Sequence, residues 1–268
     1  LLKQKNSGRN SGFLFERVGG INVIELEIVA DHESASARVA GCIVEQVRRE
    51  PASVLGLATG GTPERTYELL VEKVRAGHLS FSQATTFNLD EYVGLPPAHP
   101  QSYHAYMRSR LFGEADFDSE RTHLPDGTAD DLAKAGEQYE ALITEASGID
   151  LQLLGLGANG HIGFNEPGAT EDSRTRVVDL TEETIAANAR FFEARDDVPR
   201  RALTMGIATI LEAREIVLIA TGESKAEAVE RAVRGPVTSQ MPASFLQQHP
   251  RVTFVLDEAA ASLLGSRA

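Results

Sequence analysis

The sequence predicts an α/β protein built on one doubly wound, mostly parallel sheet with helices on both faces, Rossmann-like but without a dinucleotide site. Three observations carry that prediction. Short β-branched runs alternate with 3.6-period apolar patterns from Asn22 to the end of the chain. Strands separated by helices need crossover connections, and these give parallel pairing. The 268 residues, 42% hydrophobic and 24% charged, are enough for a sizeable core and too apolar for a disordered chain.

The elements follow in order. Residues 1–20 lack an initiating Met, are rich in Lys, Asn, Ser and Gly, and have no continuous apolar stretch. They are set aside as an upstream extension or expression remnant, expected to be disordered and unlike a signal peptide. Residues 21–268 are read as a single α/β catalytic domain. Within it, 22–29 is a strand, and 33–50 is a helix with Val39, Cys42, Ile43 and Val47 on one face. Residues 53–58 form a buried strand, followed by a helix to about Arg75 with Pro63 in its first turn and Thr62 available as its cap. Strands are expected at 84–89, 149–154, 176–180, 215–220 and 252–256, and helices at 102–112, 128–147, 181–193 and 224–233.

Composition excludes several classes of function. Lys and Arg total 26 against 39 Asp and Glu, a net charge of −13, so a phosphate-neutralising nucleic-acid surface is disfavoured. The single Cys42 rules out an intramolecular disulfide and any Cys-rich zinc or iron–sulfur centre. No H-E-x-x-H or comparable spacing suggests a metal site. No apolar run approaches the roughly 18 residues of a membrane span. The expectation is a cytoplasmic protein, monomer or homo-oligomer, with no metal.

Ligands of doubly wound sheets bind outside the carboxyl ends of the strands, and the unusual residues fall there. Thr59-Gly60-Gly61-Thr62-Pro63 turns from a strand into a helix. The amides of Gly60 and Gly61 can approach an anion, and the helix start adds partial positive charge. A plain tight turn is the equal alternative. In Asn88-Leu89-Asp90-Glu91-Tyr92, a strand runs out into two carboxylates. Either could be a proton-abstracting base, although by local propensity each is more simply a cap.

Gly155-Leu156-Gly157-Ala158-Asn159-Gly160 satisfies G-x-G-x-x-G, but Pro167 arrives before a helix could form, so the dinucleotide reading is rejected. The loop does supply His161 and Glu166, an imidazole and a carboxylate that can work as a proton-transfer pair. Arg190 ends a predicted helix and Lys225 stands in the first turn of another; in an acidic protein each is more simply a solvated surface residue, and only Lys225, where a cation is unfavourable, hints at an anion that offsets it.

Together these segments resemble glucosamine-6-phosphate deaminases. The runs Phe87-Asn88-Leu89-Asp90-Glu91-Tyr92-Val93-Gly94-Leu95 and Gly160-His161-Ile162-Gly163-Phe164-Asn165-Glu166-Pro167 carry the likeness. It is supported by Thr59–Pro63, His99–Tyr103, Ser173–Arg176 and Leu246–Pro250, in order from about residue 22 onward. The resemblance implies conversion of glucosamine 6-phosphate and water to fructose 6-phosphate and ammonia, without metal or organic cofactor. It implies Asp90 as the C2 base, His161 as the ring-opening group oriented by Glu166, and Asn159 where many members carry Asp. Gly60, Gly61, Thr62, Arg190 and Lys225 would hold the phosphate. Ala169, Thr170 and Val178 stand where members activated by N-acetylglucosamine 6-phosphate carry a serine pair and a basic residue, so no such activation is expected. The competing readings are a 6-phosphogluconolactonase, a non-catalytic sugar-phosphate sensor, and a deaminase preferring galactosamine 6-phosphate.

Overall fold

The structure, a computed structural model, describes residues 12–18 and 22–265. Eleven strands are present among them: β1 (Gly12–Val18), β2 (Asn22–Val29), β3 (Val54–Leu57), β4 (Thr85–Asn88), β5 (Asp90–Tyr92), β6 (Thr122–His123), β7 (Leu151–Gly155), β8 (Arg176–Asp179), β9 (Arg201–Thr204), β10 (Ile216–Ala220) and β11 (Val252–Asp257). The helices are α1 (His32–Arg49), α2 (Glu64–Arg75), α3 (Tyr103–Met107), α4 (Leu132–Glu145), α5 (Glu182–Asn188), α6 (Ile207–Leu211) and α7 (Ala226–Arg234).

Eight strands form the main sheet in the order β1-β2-β11-β10-β7-β3-β4-β6. Every pair from β2 to β6 is parallel, and β1 closes the edge antiparallel to β2, so the fold is the mostly parallel α/β sheet expected. The central strands are aliphatic because helices cover both their faces: β3 and β10 are buried at every position. The chain steps outward through β3, β4 and β6 on one side, and through β7, β10 and β11 on the other. With right-handed crossovers, these opposite directions put α1 and α2 on one face and α4 and α7 on the other. The order reverses between β3 and β7, which opens a crevice at their carboxyl ends.

A second, three-stranded antiparallel sheet, β5-β9-β8, grows from the end of β4, with Asp90 paired to Thr204 and Thr204 in turn opposite Arg176. It has its own small core of Tyr92, Phe164, Leu180, Ile185, Val198 and Ala202. The large core packs on both faces of the main sheet and includes Leu26, Val39, Ile43, Leu55, Leu57, Ile216, Leu218, Phe254 and Leu256.

Several sequence expectations need correction. Residues 12–18, set aside with the extension, form β1; the rest of 1–20 lies outside the described residues. Strand 176–180 does not join the parallel sheet. None of β8 is fully buried and it carries Arg176 and Asp179, so it could not fill a position covered on both faces. No side chain caps α2, so Thr62 does not act as its cap. The helix expected at 102–112 is α3 followed by a π-helical turn, Arg108–Phe112. The one expected at 181–193 ends at Asn188 and passes into a 3₁₀ turn, Ala189–Phe191, that carries Arg190.

Candidate active site

Three loops from the carboxyl edge of the sheet meet at the reversal point. The first leaves β3 and turns at Gly60, whose φ of 101° an L-side chain rarely adopts. The phenol of Tyr106 donates to the Gly60 carbonyl at 2.7 Å, and that of Tyr67 donates to the Ala58 carbonyl, so the turn is held from both neighbouring helices. With no side chain over the start of α2, its first amides are left for a ligand.

Arg190 and Lys225 come to this turn from the other half of the chain. A Cβ on Gly61 would lie 4.0 Å from Arg190 Nη2. Lys225 sits in a 3₁₀ turn, Glu223–Lys225, just ahead of α7. Burial lowers its pKa, and the charge of Arg190 lowers it further. Two cations and an uncapped helix start therefore face one place. Neither cation has a carboxylate within ion-pair distance among the described residues. Like charges converging without a protein counter-ion favour an anion between them.

The second loop separates the two acids that the sequence left equivalent. Glu91 adds to the cap that Ser102 gives α3: one oxygen accepts from the amides of Tyr92 and Tyr103, the other from the amide and Nδ1 of His104. Asp90 caps nothing. Only 5% exposed, it points to the third loop, with Oδ2 lying 3.2 Å from where a Cβ on Gly163 would stand and 3.5 Å from the Thr204 hydroxyl. Burial, and next the charge of Glu91, push the Asp90 carboxyl up to about 8, against the opposing pull of the Thr204 hydroxyl and the Phe164 amide. A carboxyl so placed is a strong base once ionised.

The third loop holds the imidazole. Asn159 Nδ2 donates to Glu166 Oε2 at 2.8 Å, which turns its Oδ1 toward His161. That oxygen accepts from the His161 amide at 3.1 Å and faces His161 Nδ1 at 2.8 Å. Glu166 Oε2 lies 3.5 Å from the same ring nitrogen. With acceptors on that side, Nδ1 carries the proton and Nε2 is the atom free to exchange one. Burial raises the Glu166 carboxyl, but His161, Thr184 and Asn159 together outweigh it and hold the group at about 2. It therefore stays ionised throughout the neutral range. The ring rests against Gly157, where a Cβ would stand 2.3 Å from its atoms.

The sequence profile described as glucosamine-6-phosphate isomerases/6-phosphogluconolactonase matches residues 30–255. The chain belongs to that family. It is 88% identical to a glucosamine-6-phosphate deaminase of Rhodopirellula baltica over 94% of this chain and all of that protein. It is 51% identical to one of Halothermothrix orenii over 88% of this chain and 98% of that protein. A solved structure of a monomeric glucosamine-6-phosphate deaminase superposes with a TM-score of 0.87 at 47% identity, covering 89% of this chain and 99% of the other. A 6-phosphogluconolactonase from Trypanosoma brucei superposes at 0.73 with 22% identity, covering 90% and 98% of the two chains. At that identity the likeness shows the fold alone.

Some side chains around the candidate site carry no signal in the sequence. Thr204 lies between Asp90 and the Phe164 amide, which donates to its hydroxyl at 3.1 Å. Thr181, the N-cap of α5, and Thr184, in its first turn, both donate to Glu166 Oε1. Each is an ordinary threonine in the sequence, and only the antiparallel pairing of β5 with β9, or the approach of α5 to the third loop, reveals its place. His104 and Tyr103 fell in or beside a motif, but no chemistry could be attached to them without the carboxylate of Glu91.

Proposed function

We propose that the protein is a glucosamine-6-phosphate deaminase, taking D-glucosamine 6-phosphate and water to fructose 6-phosphate and ammonia. The observation that carries the reading is the buried Asp90 carboxyl lying against Gly163, in the loop that also holds His161, Asn159 and Glu166. A base and a proton-transfer imidazole thus converge beside an anion site.

In this reading the sugar's phosphate rests on the amides of Gly60, Gly61 and Thr62 between Arg190 and Lys225. His161 Nε2 takes the proton of the C1 hydroxyl and passes it to the ring oxygen as the C1–O bond to the ring breaks, which opens the pyranose to the C1 aldehyde. Asn159 and Glu166 hold Nδ1 and steady the charge that Nε2 gains and gives up. Asp90 then takes the C2 proton; the electron pair moves into a C1–C2 double bond, the aldehyde oxygen takes a proton from the ammonium, and an enolamine forms. Return of that proton to C1 leaves a C2 imine. Water adds to the imine carbon and ammonia departs, giving the ketose. Asn159 does the orienting that many relatives are expected to assign to Asp, passing the charge-bearing role to Glu166.

Residues 21–268 act as one catalytic unit in this proposal. A cytoplasmic setting suits an enzyme of phosphorylated sugars whose one thiol, Cys42, is free and buried. No helix among the described residues is long and apolar enough to cross a membrane. The solved relative described as monomeric supports a monomer here.

The test is ammonia and fructose 6-phosphate release from glucosamine 6-phosphate, run beside galactosamine 6-phosphate to decide the C4 preference and beside 6-phosphogluconolactone. Turnover of the lactone alone would overturn the reading. Lys225→Met should raise KM by about 10–100-fold with kcat changed far less, since a charge-assisted hydrogen bond to the phosphate is lost in ground and transition states alike. A kcat defect with unchanged KM would remove Lys225 from the phosphate site.

A further inference from the structure

Glu91 is a buried acid with no part in the mechanism above. Its side chain is only 1% exposed, and its oxygens accept from three backbone amides, at 2.8 Å (Tyr92), 2.9 Å (Tyr103) and 3.0 Å (His104), and from His104 Nδ1 at 2.8 Å. Removing a carboxylate from water costs several kcal/mol even when it is well paired. The neutral side chain of Ser102 already caps α3, its hydroxyl accepting from the Ala105 amide at 3.0 Å.

The location shows what the charge does. β5 is three residues long, and side chains of successive strand residues point to opposite faces. Asp90 faces Thr204 and Gly163, while Glu91 faces the start of α3. Fastening the middle residue of so short a strand to a helix fixes the strand's rotation and thereby the direction of the Asp90 carboxyl. The same grip holds Tyr103, whose ring stacks on Phe164 at 6.1 Å and 9° between planes, so α3 is locked to the loop carrying His161.

We infer that Glu91, held by His104 and the amides of α3, is a positioning residue for Asp90, fixing its strand and setting a carboxylate behind the base. The inference rests on Asp90 being the base. The other titratable groups facing Asp90 are the phenols of Tyr92, Tyr103 and Tyr139, all pushed above the usual phenol range by burial with Asp90 contributing, so they stay neutral in the working range. His104 stands behind Glu91 and shields its charge.

The experiment is the pH dependence of kcat/KM for the intact enzyme, Glu91→Gln and His104→Leu. A base must be deprotonated, so activity rises with pH through its limb. Glu91→Gln removes the like charge and should shift the acid limb down by roughly one pH unit. His104→Leu leaves the charge less shielded and should shift it up. The substrate's phosphate and amine titrate identically in every case, so differences between variants belong to the enzyme. Shifts in opposite directions support the inference. Lower rates with unmoved limbs, or limbs moving the same way, overturn it and leave a purely structural cap. If Glu91→Gln does not fold, the direction of the His104→Leu shift decides. Should Asp90→Asn retain its rate, the reading of Asp90 as base fails, and this inference with it.

Discussion

Replacing Asp90 by Asn is expected to lower kcat by at least about 10³-fold while leaving glucosamine 6-phosphate bound, because an amide cannot take the C2 proton and nearly all binding contacts lie elsewhere. Thr204 and the Phe164 amide, which border the carboxyl, can keep an isosteric amide in place. The same substitution should make the protein more stable. An Asp whose folded pKa stands at about 8 against an ordinary 3.8 keeps its proton in the native state over a range where the unfolded chain has lost it. The unfolded state then binds fewer protons, and stability falls as pH rises from about 4 to about 8. Asn carries no such cost, so at pH 8 the variant should melt higher than the intact protein, and the gap should narrow toward pH 4. Calorimetry and steady-state kinetics on one preparation check both halves. An inactive variant that melts lower across the whole range would mean that Asp90 is a structural acid.

His161→Gln should lower kcat by about 10²-fold for a different reason. Ring opening would become the slow step, and with C2 deuterated substrate the isotope effect on kcat should collapse toward unity. The intact enzyme should show the larger effect, since there proton removal at C2 contributes to the rate. A variant that is slow but keeps the full isotope effect would place His161 at the C2 step and take that role from Asp90. Asn159→Ala should resemble His161→Gln more weakly, because Glu166 alone would remain to hold Nδ1, at a longer 3.5 Å.

The layout of strands and helices was legible because buried parallel strands and one-sided helices write different periods into the chain. The runs of β3 and β10 are buried throughout, as aliphatic sequence demands. The antiparallel sheet was not legible. β5, β8 and β9 are three or four residues long, too short to show alternation, and Arg176–Asp179 could be read only as another strand of the main sheet. For the site, the loop of His161 was informative by itself, since glycines and a proline excluded a helix there. Asp90 and Glu91 were indistinguishable by local rules: both follow a strand, and either could cap. The distinction lies in which side of β5 each faces, and that is set by pairing with a strand more than a hundred residues away. The meeting of Gly61 with Arg190, likewise, is a product of topology alone.

The glycines that mimic a dinucleotide fingerprint are each glycine for separate causes, and a saturation library would tell them apart. At Gly155 a Cβ would meet nothing within 4 Å, so alanine there should pass almost unnoticed. Gly160 combines a φ of 88° with Met241 Sδ at 1.9 Å from the would-be Cβ, and every replacement should be punished through folding yield. Gly157 is the unusual one. It touches no substrate in the proposed scheme, yet the imidazole of His161 fills the space of its missing side chain, so variants should express normally and still be dead. Selection for activity and selection for abundance would disagree at that codon alone among the three.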